Sequence, residues 1–205
     1  QRIQAADSML SGQDVLSSVM RSDIDKLRLV ASRADRQEFD RVVDELVAAR
    51  QIYILGVRSS AYVAGYLNFY MHLLLENVTL VQSSAAGEIF EQMFRIGPGD
   101  VMLAISFPRY SRATINTAKF AKDRGATILA ITDTELSPLG QMASASVLAP
   151  SEMISFVDSM VAPLSMVNAL LVALGLRLGK DVSATFSELE DIWDAYGVFG
   201  KSDDE

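Results

Sequence analysis

The 205-residue sequence contains no cysteine and only one histidine, His72. Without cysteine the chain has neither disulfides nor thiolate metal ligands, and one histidine is too few for a typical transition-metal site. We therefore predict no metal site and no cofactor. The sequence also opens at Gln1 without an initiator methionine or a signal-peptide pattern, so we interpret it as a processed chain or as a fragment of a longer one.

Basic residues are not in surplus, since 18 Lys and Arg residues face 26 Asp and Glu residues. Eight of the acids and one of the bases fall within residues 181–205, so the rest of the chain is nearly neutral. DNA binding requires clustered basic side chains that neutralise phosphates. We therefore expect no direct contact between this chain and DNA.

Long apolar runs are also scarce. The longest uncharged segment, "SMVAPLSMVNALLVALGL" at residues 159–176, is near the lower length limit of a membrane span. Pro163, Ser165 and Asn168 interrupt it, and no second span accompanies it. These features favour a buried or subunit-interface helix over a membrane helix. We predict no membrane partner, and the lack of cysteine fits a cytoplasmic location.

Five short apolar segments rich in β-branched residues predict strands that are covered on both faces. Segments of helical composition separate them, and this alternation favours right-handed crossovers and a parallel sheet. We predict an α/β fold, a three-layer α-β-α sandwich whose five-stranded parallel sheet has the flavodoxin-like strand order 2-1-3-4-5. The predicted strands are 51–57, 78–82, 101–107, 126–132 and 146–149, and the helices between and after them are 60–76, 86–95, 111–124, 137–143 and 155–178.

The two ends of the chain differ from this alternating core. Helical periodicity from residue 15 to about residue 50 predicts two helices with a break near "SRADRQ". At the other end, "SELEDIWDAY" predicts a short amphipathic helix, followed by a frayed "GKSDDE". We therefore divide the chain into a helical connector or arm (1–34), a main domain (35–180) and an acidic C-terminal appendage (181–205).

Two of the predicted strands end in similar polar segments. "GVRSS" (56–60) follows the first strand, and "SFPRYS" (106–111) follows the third. In the predicted order these strands are neighbours whose crossovers leave towards opposite faces, which opens a crevice at their carboxyl ends. The two segments are therefore expected to lie side by side.

Both segments lead into predicted helices, and the free N–H groups and the dipole of a helix N-terminus suit a phosphate. Arginine adds charge-assisted bonds to such an anion, and the "QSS" that follows the second strand offers amide and hydroxyl groups for a polyol. A phosphorylated sugar satisfies both kinds of group. The alternative is that the serines act only as helix caps. The predicted ligand-binding residues are Arg58, Ser59, Ser60, Ser83, Ser84, Ser106, Arg109 and Ser111.

The first of these segments resembles the sugar isomerase (SIS) domain, and the resemblance extends over residues 35–180. In that family the first strand ends in Gly-x-Gly-x-Ser, with a small residue four positions further on. Gly56, Ser60 and Ala64 match this pattern, whereas Arg58 replaces the second glycine. More narrowly, the chain resembles the effector-binding part of RpiR-type bacterial transcriptional regulators.

The segment after the third strand carries the same resemblance with two departures. The family pattern there is Ser-x-Ser-Gly-x-Thr, of which Ser106 and Ser111 keep the first and last positions. Pro108 replaces the second serine and Arg109 replaces the glycine, so a hydroxyl and a flexible backbone N–H are lost and a charge is added. The continuations "AKFAKDRGATILAIT" and "SPLGQMASASVLAP" also resemble the family.

The resemblance implies a function for the whole chain. In RpiR-type regulators a helix-turn-helix domain binds DNA, and the SIS domain forms dimers and senses a phosphosugar. The segment "QRIQAADSML" resembles the connector between these two domains. The expected function is therefore the phosphosugar-sensing effector and dimerisation domain of a regulator of carbohydrate metabolism. It would form a homodimer or tetramer and contact DNA only through an N-terminal domain missing here.

A sugar-phosphate aldose-ketose isomerase is the alternative, because SIS domains also occur in such enzymes. Isomerisation requires a base held near the sugar. His72 falls in the middle of a predicted helix, whereas Glu88 and Glu152 each follow a predicted strand end. Each has an equally good structural explanation: Glu88 as an acid in the first turn of a helix, and Glu152 as an ordinary acid in a loop. We therefore predict no catalytic residue and no enzymatic activity.

A dimerisation module without any ligand is a third possibility. The apolar helix faces, together with Met153, Met160 and Met166, suit subunit packing. Such a module would not require Arg58 and Arg109 at the ends of strands, so these arginines favour a ligand site.

Overall fold

The computed structural model describes residues 14–82, 86–154 and 156–199. The chain begins with two helices, α1 (Val15–Arg33) and α2 (Arg36–Ala48). The carboxylate of Asp35 accepts hydrogen bonds from the backbone N–H groups of Gln37 and Glu38, and thereby caps the start of α2. The predicted break between two helices is confirmed. The predicted connector sequence at residues 1–10 and the end at residues 200–205 lie outside the described residues.

The centre of the fold is a parallel sheet with the strand order β2-β1-β3-β4-β5. β1 (Gln51–Gly56) pairs with β3 (Asp100–Ile105) along its whole length, with Gly56 opposite Ile105. The predicted α/β fold and its flavodoxin-like strand order are confirmed. The remaining strands of the sheet are β2 (Val78–Leu80), β4 (Thr127–Thr132) and β5 (Ala145–Leu148).

Helices cover both faces of the sheet, which explains why its strands are almost entirely apolar. On one face Ile54 and Leu103 pack with α2 and with two further helices, α3 (Ser60–Leu74) and α6 (Val161–Leu178). On the other face Leu55 and Met102 pack with the helices α4 and α5. These two helices are α4 (Ala86–Gln92) and α5 (Arg112–Asp123), and the last helix of the described chain is α7 (Lys180–Tyr196).

The predicted helix at 137–143 is wrong. These residues form turns that lead into β5, and the Ser137 hydroxyl accepts a hydrogen bond from the Gly140 N–H at 2.9 Å. A Cβ on Gly140 would lie within 2.8 Å of the Thr134 and Glu135 carbonyl oxygens. The turn is therefore too tight for any residue other than glycine at this position.

The predicted helix at 155–178 begins later than expected, at Val161. A short antiparallel hairpin precedes it, in which β6 (Met153–Ile154) pairs with β7 (Val157–Asp158). Strands of two residues are too short to show a period in the sequence. The acidic C-terminal helix is longer than predicted, since α7 starts at Lys180 directly after Gly179.

By length and composition, α6 is the one helix in the described ranges that could cross a membrane. It packs against α1, α2 and α3, and buries Leu170 and Leu174 completely. The predicted core or interface helix agrees with this packing. α1 and α7 both pack against α6 as well, so the division of the chain into connector, domain and appendage stays a prediction.

Candidate functional site

The loops that follow β1 and β3 lie side by side and enclose a pocket of about 370 Å³. They meet because the two strands are parallel neighbours whose carboxyl ends are level. Six of the eight predicted ligand-binding residues are thus brought together. The pocket is lined by Val57, Arg58, Ser59, Ser60, Ser106, Phe107, Pro108, Arg109, Ser111 and Asp158.

The other two predicted residues, Ser83 and Ser84, lie outside the described residues, so their place in a polyol site stays a prediction. The loop that carries them starts at Gln82, at the end of β2. The Gln92 side-chain amide donates to the Gln82 carbonyl and accepts from its N–H. α4 therefore holds the start of this loop.

Arg58 and Arg109 both adopt a backbone conformation that normally favours glycine. Their φ angles are +58° and +70°, and within the described ranges no other non-glycine residue has a positive φ. Residues with a side chain pay about 1 kcal/mol or more for this conformation. The resemblance to the SIS domain places glycines at both positions, and each arginine has a φ that glycine readily adopts while it adds a guanidinium group. Strain of this kind is typical of functional sites.

Gly56 allows the end of β1 to touch the first turn of α3. A Cβ at this position would lie 2.4 Å from the Ser60 carbonyl oxygen and 3.1 Å from the Ala64 Cβ. The motif formed by Gly56, Ser60 and Ala64 is therefore a close strand-to-helix contact. This contact brings the N-terminus of α3 to the edge of the pocket.

The pocket serines do not act as helix caps. Ser59 precedes α3 and Ser111 precedes α5, yet neither side chain caps its helix. Ser60 and Ser106 are buried, and within the described ranges the hydroxyls of Ser60, Ser106 and Ser111 have no hydrogen-bond partner in the protein. These hydroxyls are not among the buried unpaired ones of the described ranges, which belong to Thr114 and Ser151, and their residues line the pocket. The pocket therefore holds several donors suited to an oxygen-rich ligand, contrary to the capping alternative.

Asp158 in β7 is a pocket residue that the sequence analysis missed. Its carboxylate accepts a hydrogen bond from the Ser59 hydroxyl at 3.1 Å and pairs with the Arg109 guanidinium at 3.4 Å. Its side chain is only 19% exposed. Asp158 thus connects the two loops across the pocket. A lone aspartate inside a predicted helix offered no signal in the sequence.

Tyr110 holds the second loop against the end of β4. Its hydroxyl donates a hydrogen bond to the Asp133 carboxylate at 2.9 Å. The pKa of Tyr110 is raised to about 12. Desolvation is the largest cause, and the hydrogen bond to Asp133 and the charge of Asp133 add to it. The phenol therefore remains a neutral donor at physiological pH. The interaction thereby helps to hold Arg109 and Ser111, the two neighbours of Tyr110, in position at the pocket.

The acid–base candidates of the sequence do not line this pocket. His72 is exposed near the end of α3, and Glu88 lies in the first turn of α4. Glu152 borders other hollows, beside α1. Arg112 is exposed at the start of α5 and also lies outside the pocket lining. Among the described residues that line the pocket, Asp158 is the one with a carboxylate.

Other hollows offer weaker sites. One of about 760 Å³ lies along α2, but all its lining residues belong to that helix, so it cannot enclose a ligand. Within the described ranges, no three His, Cys, Asp or Glu side chains are arranged to hold a metal ion. A further hollow of about 440 Å³ lies between α1, α2 and the segments after β4 and β5, but its lining carries five carboxylates and one arginine, so it does not suit an anion. The pocket between β1 and β3 is the better candidate for an anion, because its lining carries two arginines and one carboxylate.

The SIS domain family model matches residues 45–173 of this chain, which is more than half of its length. The chain belongs to the SIS domain family. The matched range contains the glycine contact at Gly56 and both arginine-bearing loops, but not α1 or α7. This SIS domain is also similar to transcriptional regulators. It is 26% identical over 200 residues to the HTH-type transcriptional regulator HexR of Pseudomonas aeruginosa, and the match covers 88% of this chain and 68% of HexR.

Two solved structures share the architecture of this SIS domain. The sugar isomerase domain of an RpiR transcription factor from Sphaerobacter thermophilus superposes with a TM-score of 0.82 at 23% identity, covering 87% of this chain and 99% of that one. The Vibrio vulnificus NanR protein, complexed with ManNAc-6P, superposes with a TM-score of 0.77 at 20% identity, covering 97% of this chain and 75% of that one. Structures named as sugar-phosphate or phosphosugar isomerases share the fold too, with TM-scores from 0.61 to 0.69.

Proposed function

We propose that this SIS domain binds a sugar phosphate between β1 and β3, and that it is the effector-sensing and dimerisation domain of a transcriptional regulator of carbohydrate metabolism. The observation that carries the proposal is the convergence of two arginines and several serine hydroxyls without protein partners in one pocket. The pocket lies at the carboxyl ends of adjacent parallel strands, where α/β proteins commonly bind ligands.

The phosphate is the best-supported part of the ligand. Arg58 forms no ion pair within the described ranges, so its charge is available to an anion. α3 and α5 both begin at the pocket, so the positive ends of their helix dipoles add to the attraction for an anion. A volume of about 370 Å³ falls within the range of small-molecule sites and suits a monosaccharide phosphate.

Regulation is supported by the relatives. HexR is named as a transcriptional regulator, and NanR was solved with a phosphorylated sugar derivative. In our proposal, DNA binding belongs to a helix-turn-helix domain N-terminal to α1, and the protein acts in the cytoplasm.

The isomerase alternative has weaker support. The shared fold of the isomerase structures does not distinguish a sensor from an enzyme, because one fold can carry many functions. An isomerase also requires a base free to take a proton from the sugar. Asp158, the carboxylate of the pocket, is already engaged by Ser59 and Arg109. We therefore propose a sensor without enzymatic activity.

The double substitution Arg58→Ala/Arg109→Ala tests the ligand site. A bound ligand at 100 times its dissociation constant stabilises a protein by about 2.7 kcal/mol, so a sugar phosphate should raise the unfolding temperature by several degrees. The double variant should lose this shift, because two charge-assisted contacts correspond to about 100-fold in affinity or more. Differential scanning fluorimetry with a panel of sugar phosphates measures both proteins.

Arg112→Ala provides the matched control, since this exposed arginine lies beside the pocket without lining it. It should retain the full ligand-induced shift. An equal shift in wild type and in the double variant would disprove the site. NMR of the same sugar panel would reveal any conversion, and a turned-over sugar would favour the isomerase instead.

A dimer is the second part of the proposal. The outward faces of α3 and α6 carry exposed apolar side chains, including Phe69 and Leu176, and the two helices pack together. The Tyr66 hydroxyl bridges them by donating to the Asn168 side chain at 2.8 Å. An exposed apolar patch on two adjacent helices is typical of a subunit interface. We propose that a second copy of this chain covers it.

Phe69→Asp should convert this dimer to a monomer. The side chain is 61% exposed, so the substitution should leave the monomer fold intact while placing a charge in the interface. We expect a dissociation constant at least tenfold higher, measured by sedimentation velocity. Leu136→Asp is the control, because this 80% exposed leucine lies after β4, away from α3 and α6, and should leave the dimer unchanged. A wild-type monomer at micromolar concentration would contradict the proposal.

A further inference from the structure

The carboxylate of Asp158 lies in the pocket against two donors that would also suit an anion. It accepts from the Ser59 hydroxyl at 3.1 Å and pairs with the Arg109 guanidinium at 3.4 Å. Both donors belong to the loops whose arginines and hydroxyls suit a phosphate. A carboxylate and a phosphate use the same donors, and two anions repel each other at short range.

The residue next to Asp158 contacts the first helix of the chain. The Ser159 hydroxyl donates a hydrogen bond to the Asp23 carboxylate of α1 at 2.7 Å. Asp23 also pairs with Lys26 at 3.5 Å, a lysine whose side chain is buried and donates to the Ser22 hydroxyl. Consecutive residues therefore contact the pocket on one side and a partly buried polar cluster of α1 on the other.

Backbone connectivity couples these two contacts. Asp158 ends β7, and α6 begins at Val161, so only Ser159 and Met160 separate the two elements. A shift of the β7 backbone that carries the Asp158 carboxylate out of the pocket is passed directly to Ser159, its neighbour in the chain. The hydrogen bond to Asp23 is the first contact along the chain that such a shift would strain.

We propose that Asp158 is a built-in competitor of the ligand phosphate, and that its displacement from Ser59 and Arg109 breaks the contact between Ser159 and Asp23 of α1. The proposal rests on the proposed sugar-phosphate site and describes how that site is regulated. It assigns Asp158 two effects, a lower affinity for anions and a coupling between the pocket and α1. A ligand that replaces Asp158 thereby changes how α1 is held.

Asp158→Asn tests the competition. The amide has the shape of the carboxylate without its charge, so affinity for inorganic phosphate, measured by isothermal titration calorimetry, should rise at least tenfold. Asp44→Asn is the matched control, because this aspartate is exposed, pairs with Arg177 and does not line the pocket. Its affinity should stay within twofold of wild type.

Ser159→Ala tests the coupling separately. Ser159 does not line the pocket, so phosphate affinity should stay within twofold of wild type. Hydrogen–deuterium exchange of α1 gives the second readout. In wild type, saturating phosphate should speed exchange in residues 15–33 at least threefold. In Ser159→Ala, exchange should be fast without phosphate and should not respond to it.

The outcomes separate this inference from the proposed function. If wild type binds sugar phosphates but Asp158→Asn binds inorganic phosphate no more tightly, the competition is wrong. Weaker sugar-phosphate binding by Asp158→Asn with unchanged phosphate binding would instead make Asp158 a partner of a sugar hydroxyl. Unchanged exchange of α1 in phosphate-saturated wild type overturns the coupling. If neither protein binds any sugar phosphate or phosphate, the proposed function itself fails.

Discussion

Gly56→Ala is expected to lower the free energy of unfolding by about 2 kcal/mol and to weaken ligand binding together with stability. The added Cβ would lie 2.4 Å from the Ser60 carbonyl oxygen and 2.8 Å from its carbonyl carbon, which are backbone atoms of the first turn of α3. Backbone atoms cannot rotate away as the end of a side chain can. The substitution must therefore push the start of α3 away from β1.

The consequence for the pocket follows from the same displacement. Ser59 and Ser60 lie at the start of α3, and both line the pocket. A shift of this turn changes the distances between their hydroxyls and the side chains of Ser106 and Arg109 on the neighbouring loop. We expect the ligand-induced rise in unfolding temperature to fall by at least half, measured by the same fluorimetry as for the arginine variants.

Gly65→Ala is the control for Gly56→Ala. Gly65 lies within α3, and a Cβ there meets no atom within 4 Å beyond its chain neighbours and the backbone of its own helix. Alanine in a helix interior is more favourable than glycine by about 0.5–1 kcal/mol, so this variant should be at least as stable as wild type. Urea denaturation of both variants measures the difference. A Gly56→Ala protein that matches wild type in stability and binding would refute the close strand-to-helix contact.

Arg50→Ala is expected to cost about 3 kcal/mol of stability, the lower end of the range for breaking a buried ion pair. Arg50 donates two hydrogen bonds to Asp100, at 2.9 and 2.7 Å, and the Asp100 side chain is fully buried. Without Arg50, the carboxylate keeps only the Gly97 N–H as a partner within the described ranges. The loss of stability falls at the lower end of this range because the Arg50 side chain is 64% exposed, so solvent partly screens its charge.

The control for this prediction is an arginine at the surface. Arg41 pairs with Glu38 at 3.5 Å, and the two side chains are 50% and 34% exposed, so neither charge is fully buried. Arg41→Ala should cost less than about 1 kcal/mol. The double variant Arg50→Ala/Asp100→Ala should recover part of the loss, because it removes the uncompensated charge. Equal urea midpoints for Arg50→Ala and Arg41→Ala would contradict the buried charge as the cause.

The strands were predictable because their burial is uniform. Each predicted strand begins and ends within two residues of an observed one, and the order of the sheet was as expected. Strands covered on both faces are apolar along their whole length, and this pattern is local. The turn at 137–143 was not predictable in this way. It is formed by the hydrogen bond from the Gly140 N–H to the Ser137 hydroxyl and by the close packing of Gly140 against neighbouring carbonyl groups.

The candidate site was only partly accessible from the sequence. The two arginine-bearing loops could be paired in advance, because topology alone makes β1 and β3 neighbours. Asp158 could not be found, since it reaches the pocket from a hairpin almost 50 residues further along the chain than Arg109. Tyr110 and Asp133 were missed for the same reason, as their hydrogen bond joins two different strand ends.

The sequence by itself determined the layered fold and the family, and it predicted an arginine-bearing pocket for an anion, because apolar periodicity and local motifs are properties of short segments. Three features were decided by the tertiary structure alone. The Ser59 and Ser111 hydroxyls do not cap their helices, both arginines adopt a positive φ, and Asp158 connects the two loops. These features depend on distances between segments far apart in the chain, and packing of the whole domain sets those distances.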